Sequence, residues 1–106
     1  MARNHTLTIE VALAPQQAEA AVYQAFLAAG LSWVAGGNGF MRGKVSAAGM
    51  RSWGENVLAT IGYGPRGAVV TLRSECLMPT QVIDWGKNRQ NVERIVEVLR
   101  QLAPLV

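Results

Sequence analysis

Residues 6–30, TLTIEVALAPQQAEAAVYQAFLAAG, change their hydrophobic period halfway through, and that change decides the class of fold. Leu7, Ile9, Val11 and Leu13 alternate with Thr6, Thr8 and Glu10, as a half-buried strand requires. From Pro15, a residue suited to the first turn of a helix, Ala18, Ala21, Val22, Ala25, Phe26 and Ala29 fall on one helical stripe. Gly30 follows, where a left-handed cap conformation ends a helix without steric cost. The alanines are small enough to let this helix lie close to a sheet.

Beyond Gly30 the chain breaks into short segments divided by glycine. LSWVA (31–35) and FMRGKVSA (40–47) flank Gly36, Gly37, Asn38 and Gly39, which predicts a hairpin because Asn and Gly tolerate positive φ. NVLATIGY (56–63) and AVVTLRSEC (68–76) flank Gly64, Pro65, Arg66 and Gly67, which predicts a second. In the last of these strands Val70, Leu72, Ser74 and Cys76 share the inward face, leaving Val69, Thr71, Arg73 and Glu75 outward. Pro79 ends the strand run. Val92, Ile95, Val96, Leu99 and Leu102 then recur at helical spacing, with Trp85 seven residues before Val92 on the same stripe. Asp84 stands where a carboxylate caps the first turn, an arrangement that contributes about 1 kcal/mol.

The predicted order is β-α-β-β-β-β-α in a single domain over residues 1–106. Helices at both ends of an antiparallel meander most simply cover one face of it, giving a two-layer α+β sandwich. The pattern leaves two forms open: a flat, open sheet, as in TATA-binding-protein-like folds, or one curled around the last helix, as in helix-grip folds.

Half of the 106 residues are apolar and 16% are charged, enough burial for one core. The formal charge is +3 with a pI near 9.6, but the cations are scattered, from Arg3 to Arg100, with no basic run. A phosphate track needs several of them converging on one face, so nucleic acid is not an expected partner. Eight Arg to two Lys, with abundant Ala, is the usage of a GC-rich bacterial genome. Cys76 is the only cysteine, which suits a reducing compartment. The amino terminus lacks a secretory apolar block, and no run is long enough to span a bilayer. A cytoplasmic location with no membrane partner is expected.

Candidates for chemistry concentrate around two tryptophans. Trp53 in RSWGENV (51–57) and Trp85 in DWGKN (84–88) have similar settings: a nearby charge, then Trp-Gly, then a charge and Asn. Should the two loops meet at one end of the sheet, the indoles form an apolar slot rimmed by Arg51, Glu55, Asp84 and Lys87. The plainer alternative is that both indoles close the ends of the core and the charges stay in water. Asp84 and Lys87 could act as an acid and base only with a further group in reach. His5 is the only histidine and Cys76 the only cysteine, so neither a zinc site nor a Ser/His/Asp arrangement is expected. Cys76 reads as a small buried hydrophobe rather than a nucleophile. AGGNGF and GYGPRG lack the Gly-Lys-Ser/Thr ending of a phosphate loop and read as turns.

The outward sheet face should carry Arg42, Lys44, Thr60, Thr71, Arg73 and Glu75. It lacks the paired stacking aromatics of an RNA-binding sheet. With both helices on the other side, this face is either wet or covered by a partner.

RSWGE (51–55) and PTQVIDWGKNRQNVERI (79–95) resemble segments of small, uncharacterised bacterial proteins. The resemblance implies a βαββββα domain with the last helix docked on the sheet, and it implies no activity, cofactor or catalytic residue. Two functions therefore stand open on the sequence. The first is a non-enzymatic binding or assembly module, pairing through its sheet with a protein partner or a second copy. The second is a carrier of a small apolar ligand near Trp53 and Trp85. No catalytic constellation, metal or cofactor is expected.

Overall fold

A computed structural model describes residues 4–45, 54–76 and 87–103. The elements are β1 (Asn4–Val11), α1 (Pro15–Ala28), β2 (Ser32–Gly37), β3 (Phe40–Val45), β4 (Glu55–Gly64), β5 (Gly67–Cys76) and α2 (Lys87–Leu102). All pairings are antiparallel and the order across the sheet is β1-β5-β4-β3-β2. The first strand thus pairs with the last, and among the described residues β1 and β2 are the two edge strands of an open sheet.

Both helices lie on one face of it, as the alternation predicts. α1 covers β2 to β5, α2 covers β1, β5 and β4, and the helices touch each other. Between the layers, Val22 and Phe26 of α1 and Val92, Ile95 and Leu99 of α2 meet Val57, Ala59, Val70 and Leu72 of the sheet, all fully buried. Each completely buried aliphatic or aromatic side chain of this kind contributes roughly 1.5–3 kcal/mol. Ala18 and Ala25, also fully buried, let α1 approach as the sequence suggests.

The helix ends follow from local chemistry. At the start of α1, Gln17 Oε1 accepts from the Ala14 amide at 3.3 Å, and Pro15 occupies a position whose missing N–H loses nothing. At its end Gly30 has φ +86°, Gly30 N–H donates to Leu27 O and Leu31 N–H to Phe26 O, each at 3.0 Å. That pair of bonds satisfies two carbonyls the helix would leave exposed. It also folds Leu31 back beside Phe26, where both lie over Gly43 of β3, the one strand position whose missing side chain makes room for them.

The first hairpin turns on Asn38 and Gly39, whose φ values are 55° and 84°. Positive φ at both central residues matches the twist of the flanking strands. Glu19 of α1 holds this turn, its Oε1 accepting from Gly39 N–H at 2.6 Å, while Gly39 O accepts from Ile61 N–H at 2.8 Å. The second hairpin turns on Pro65 and Arg66, between the paired Gly64 and Gly67.

Three details differ from the sequence reading. β1 starts earlier and ends at Val11, so Leu13 lies beyond the strand, though still packed on the core. Leu102 is 50% exposed and Ala103 takes the inward place at 3%, because a stripe through residues 92, 96 and 99 returns to the core after four further residues, not three. Glu55 begins β4 rather than a loop. The proposed cap at Asp84, the stripe position at Trp85 and the strand stop at Pro79 lie outside the described residues. No helix among the described residues is long and apolar enough to cross a membrane.

Candidate functional site

Strand alternation places Ser74 on the inward face beside Leu72, and register places Glu55 opposite Cys76 on the neighbouring strand. Both side chains are completely buried. A hydroxyl and a carboxylate in that position need partners, since an unpaired buried polar group costs several kcal/mol. The first turns of α2 supply them. Ser74 Oγ donates to Asn88 Oδ1 at 2.8 Å, and Asn91 Nδ2 donates to Ser74 Oγ at 3.1 Å and to Glu55 Oε1 at 2.9 Å. Asn88 is itself fully buried, whereas Asn91 is partly exposed.

This polar layer lies at the end of the core where α2 begins. Two of its members have no donor left: the Ser74 hydrogen goes to Asn88 and both Asn91 amide hydrogens are used. Glu55 Oε2 is buried with no hydrogen-bond partner among the described residues, a condition it shares with Glu10 Oε2 on β1. The ion pairs present among those residues, Arg73–Glu75 at 3.2 Å and Arg89–Glu93 at 3.1 Å, are both exposed and leave Glu55 uncompensated. His5 stands opposite Ser74 in the β1–β5 register. The serine hydroxyl donates to the amide carbonyl of Asn88, however, which is no base to take its proton.

Of the six residues the sequence singles out, Arg51, Trp53, Asp84 and Trp85 lie outside the described residues. Lys87 opens α2. Glu55 is not at a solvated rim: it is 0% exposed and tied to α2 through Asn91. The fold does bring the start of β4 and the start of α2 to the same end of the sheet.

A second feature escaped the sequence reading. Register between β2 and β3 shifts between Ser32 and Ala35, and inside that bulge Trp33 has φ +58° and is 85% exposed. The left-handed region is uncommon for a bulky residue, costing roughly 1–2 kcal/mol. The indole stands over the open face of the sheet, at a cleft of about 390 Å³ that it lines with Arg42, Lys44, Asn56 and Leu58. Arg42 and Lys44 make no ion pair among the described residues. The expected outward set does share this face by register: Lys44, Asn56 and Glu75 form one row, Arg42, Leu58 and Arg73 the next, and Phe40, Thr60 and Thr71 a third.

No family model matches the chain, and no curated protein matches it. Among solved structures it is similar to protein MLL2253 from Mesorhizobium loti, known from an X-ray crystal structure. That likeness has 14% identity and a TM-score of 0.65, and it covers 94% of this chain and 96% of that one. At that identity it shows the fold alone: a compact α+β domain with an antiparallel sheet.

Proposed function

We propose that the chain is a non-enzymatic bacterial binding or assembly module that works through the open face of its sheet, with a second copy of itself as the partner. The observation that carries this reading is Trp33, a large apolar side chain held in an unfavourable backbone conformation and left 85% exposed beside a cleft. Strain at a bulge persists where the local geometry serves a purpose, and an indole over an apolar and cationic cleft is a common anchor at interfaces.

Charge selects the partner. Arg42 and Lys44 lie on the β3 side of the face, Glu75 and Glu10 on the β5 and β1 side. A two-fold axis along β4 lays β3 of one copy on β5 of the other, which sets Lys44 against Glu75 because both share one row with Asn56. Leu58 then meets its own copy near the axis, and Trp33 reaches the threonine edge at β1. Arg42 comes near Arg73 in the next row, whose charge Glu75 partly offsets at 3.2 Å. Sedimentation equilibrium tests the reading: a reversible dimer in the wild type that Trp33→Ala abolishes without unfolding supports it. A wild-type monomer throughout the millimolar range contradicts it.

The second reading, a carrier of a small apolar ligand near Trp53 and Trp85, draws support from the start of β4 and the start of α2 meeting at one end of the sheet. Tryptophan fluorescence that shifts on ligand addition would favour it, and indifference to a broad ligand set would remove it.

A further inference from the structure

In the polar layer at the start of α2, Ser74 and Asn91 have spent their side-chain hydrogen-bond donors, while Glu55 keeps a free acceptor. Ser74 carries one hydroxyl hydrogen, given to Asn88, and Asn91 carries two amide hydrogens, given to Glu55 Oε1 and Ser74 Oγ. Glu55 Oε2, fully buried, accepts from no described residue. Burying a carboxylate on neutral partners alone is costly, and the cost falls when a cation shares the site. Asn91 is partly exposed, so the layer is not sealed from solvent along that side.

We propose that Glu55, Ser74, Asn88 and Asn91 form a binding site for a small primary ammonium compound, with Glu55 Oε2 as the charged acceptor and Asn91 as the entry. An ammonium fits better than the other cations. It brings a charge and a hydrogen to Glu55 Oε2, whereas calcium and magnesium require six or more oxygens around one point. No group of three or more ligating His, Cys, Asp or Glu side chains exists among the described residues. A guanidinium binds best when both carboxylate oxygens face it, and Oε1 is already engaged by Asn91. This site lies on the helix-covered side of the sheet and stands independently of assembly through the open face.

Thermal melts of the full chain with n-butylammonium chloride, n-butanol and sodium chloride, at matched ionic strength, test the proposal. Butylammonium at about ten times its Kd should raise the melting temperature by roughly 5 °C or more, and butanol and sodium chloride should not. Glu55→Gln keeps the shape and removes the charge; it should abolish the rise. In wild-type protein the side-chain amide resonances of Asn91 should shift on titration with butylammonium, a readout that holds even if the variant fails to fold. No rise in the wild type, an equal rise in Glu55→Gln, or Asn91 resonances that stay in place would each overturn the proposal. So would non-additivity between Glu55→Gln and either Arg51→Met or Lys87→Met in a double-mutant cycle, because the chain would then supply its own cation.

Discussion

Asn91, in the second turn of α2, donates to Glu55, the first residue of β4, at 2.9 Å across 36 positions of sequence. The bond ties the terminal helix to the central strand of the sheet, beside the buried Ser74 and Asn88. Replacing Asn91 by Ala should cost roughly 1.5–3 kcal/mol, the range for a hydrogen bond to a charged group. Replacing it by Asp should cost more, because it sets a second carboxylate against Glu55. Urea unfolding of the two variants checks both the size and the order; an Asp variant as stable as the wild type would refute this account of the layer.

Trp33 is expected to separate stability from assembly. Glycine adopts φ +58° freely but adds chain entropy in the unfolded state, two effects of similar size and opposite sign. Trp33→Gly should therefore stay within about 1 kcal/mol of the wild type in denaturant melts, while losing dimerisation altogether. A large drop in stability would mean that the indole serves packing within its own chain.

The two-fold arrangement also makes a charge prediction. Lys44→Glu should weaken self-association by setting two carboxylates opposite one another, and the double change Lys44→Glu with Glu75→Lys should restore much of it. The weakening should shrink in high salt, as exposed pairs are screened. Dissociation constants at low and high ionic strength measure this directly.

The β2–β3 turn should be sensitive on both sides. Gly39→Ala places a Cβ at φ +84° and 2.9 Å from Ile61 O, a combination expected to cost about 1–3 kcal/mol. Glu19→Ala removes the carboxylate that accepts from Gly39 N–H at 2.6 Å and should cost about 1–3 kcal/mol. Because both act on one turn, the double variant should lose less than the sum of the two in denaturant melts.

Much of this fold is written in local pattern. The alternation of Leu7, Ile9 and Val11, the alanine stripe ending at Gly30, and the Asn-Gly and Pro-Arg turns each follow from rules that act within a few residues. The departures arise where a local rule meets a distant partner. Glu55 follows Trp-Gly and reads as a loop charge, yet it is buried because Asn91 reaches it from the last helix. The inward parity of Ser74, a polar residue in line with Val70 and Leu72, was the signal that such a partner must exist. Trp33 was readable as a strand residue but not as an exposed one, since a bulge between Ser32 and Ala35 breaks the alternation that would have told its face. Of the slot expected around Trp53 and Trp85, only Glu55 and the backbone of Lys87 fall within the described residues.

Isotope-filtered nuclear Overhauser spectroscopy on a mixture of labelled and unlabelled chains tests the central claim most directly. Cross-peaks between the Trp33 indole of one copy and the Thr6 methyl of the other are predicted. Intermolecular peaks confined to α1 or α2, or none at concentrations where both chains are in excess, would contradict it.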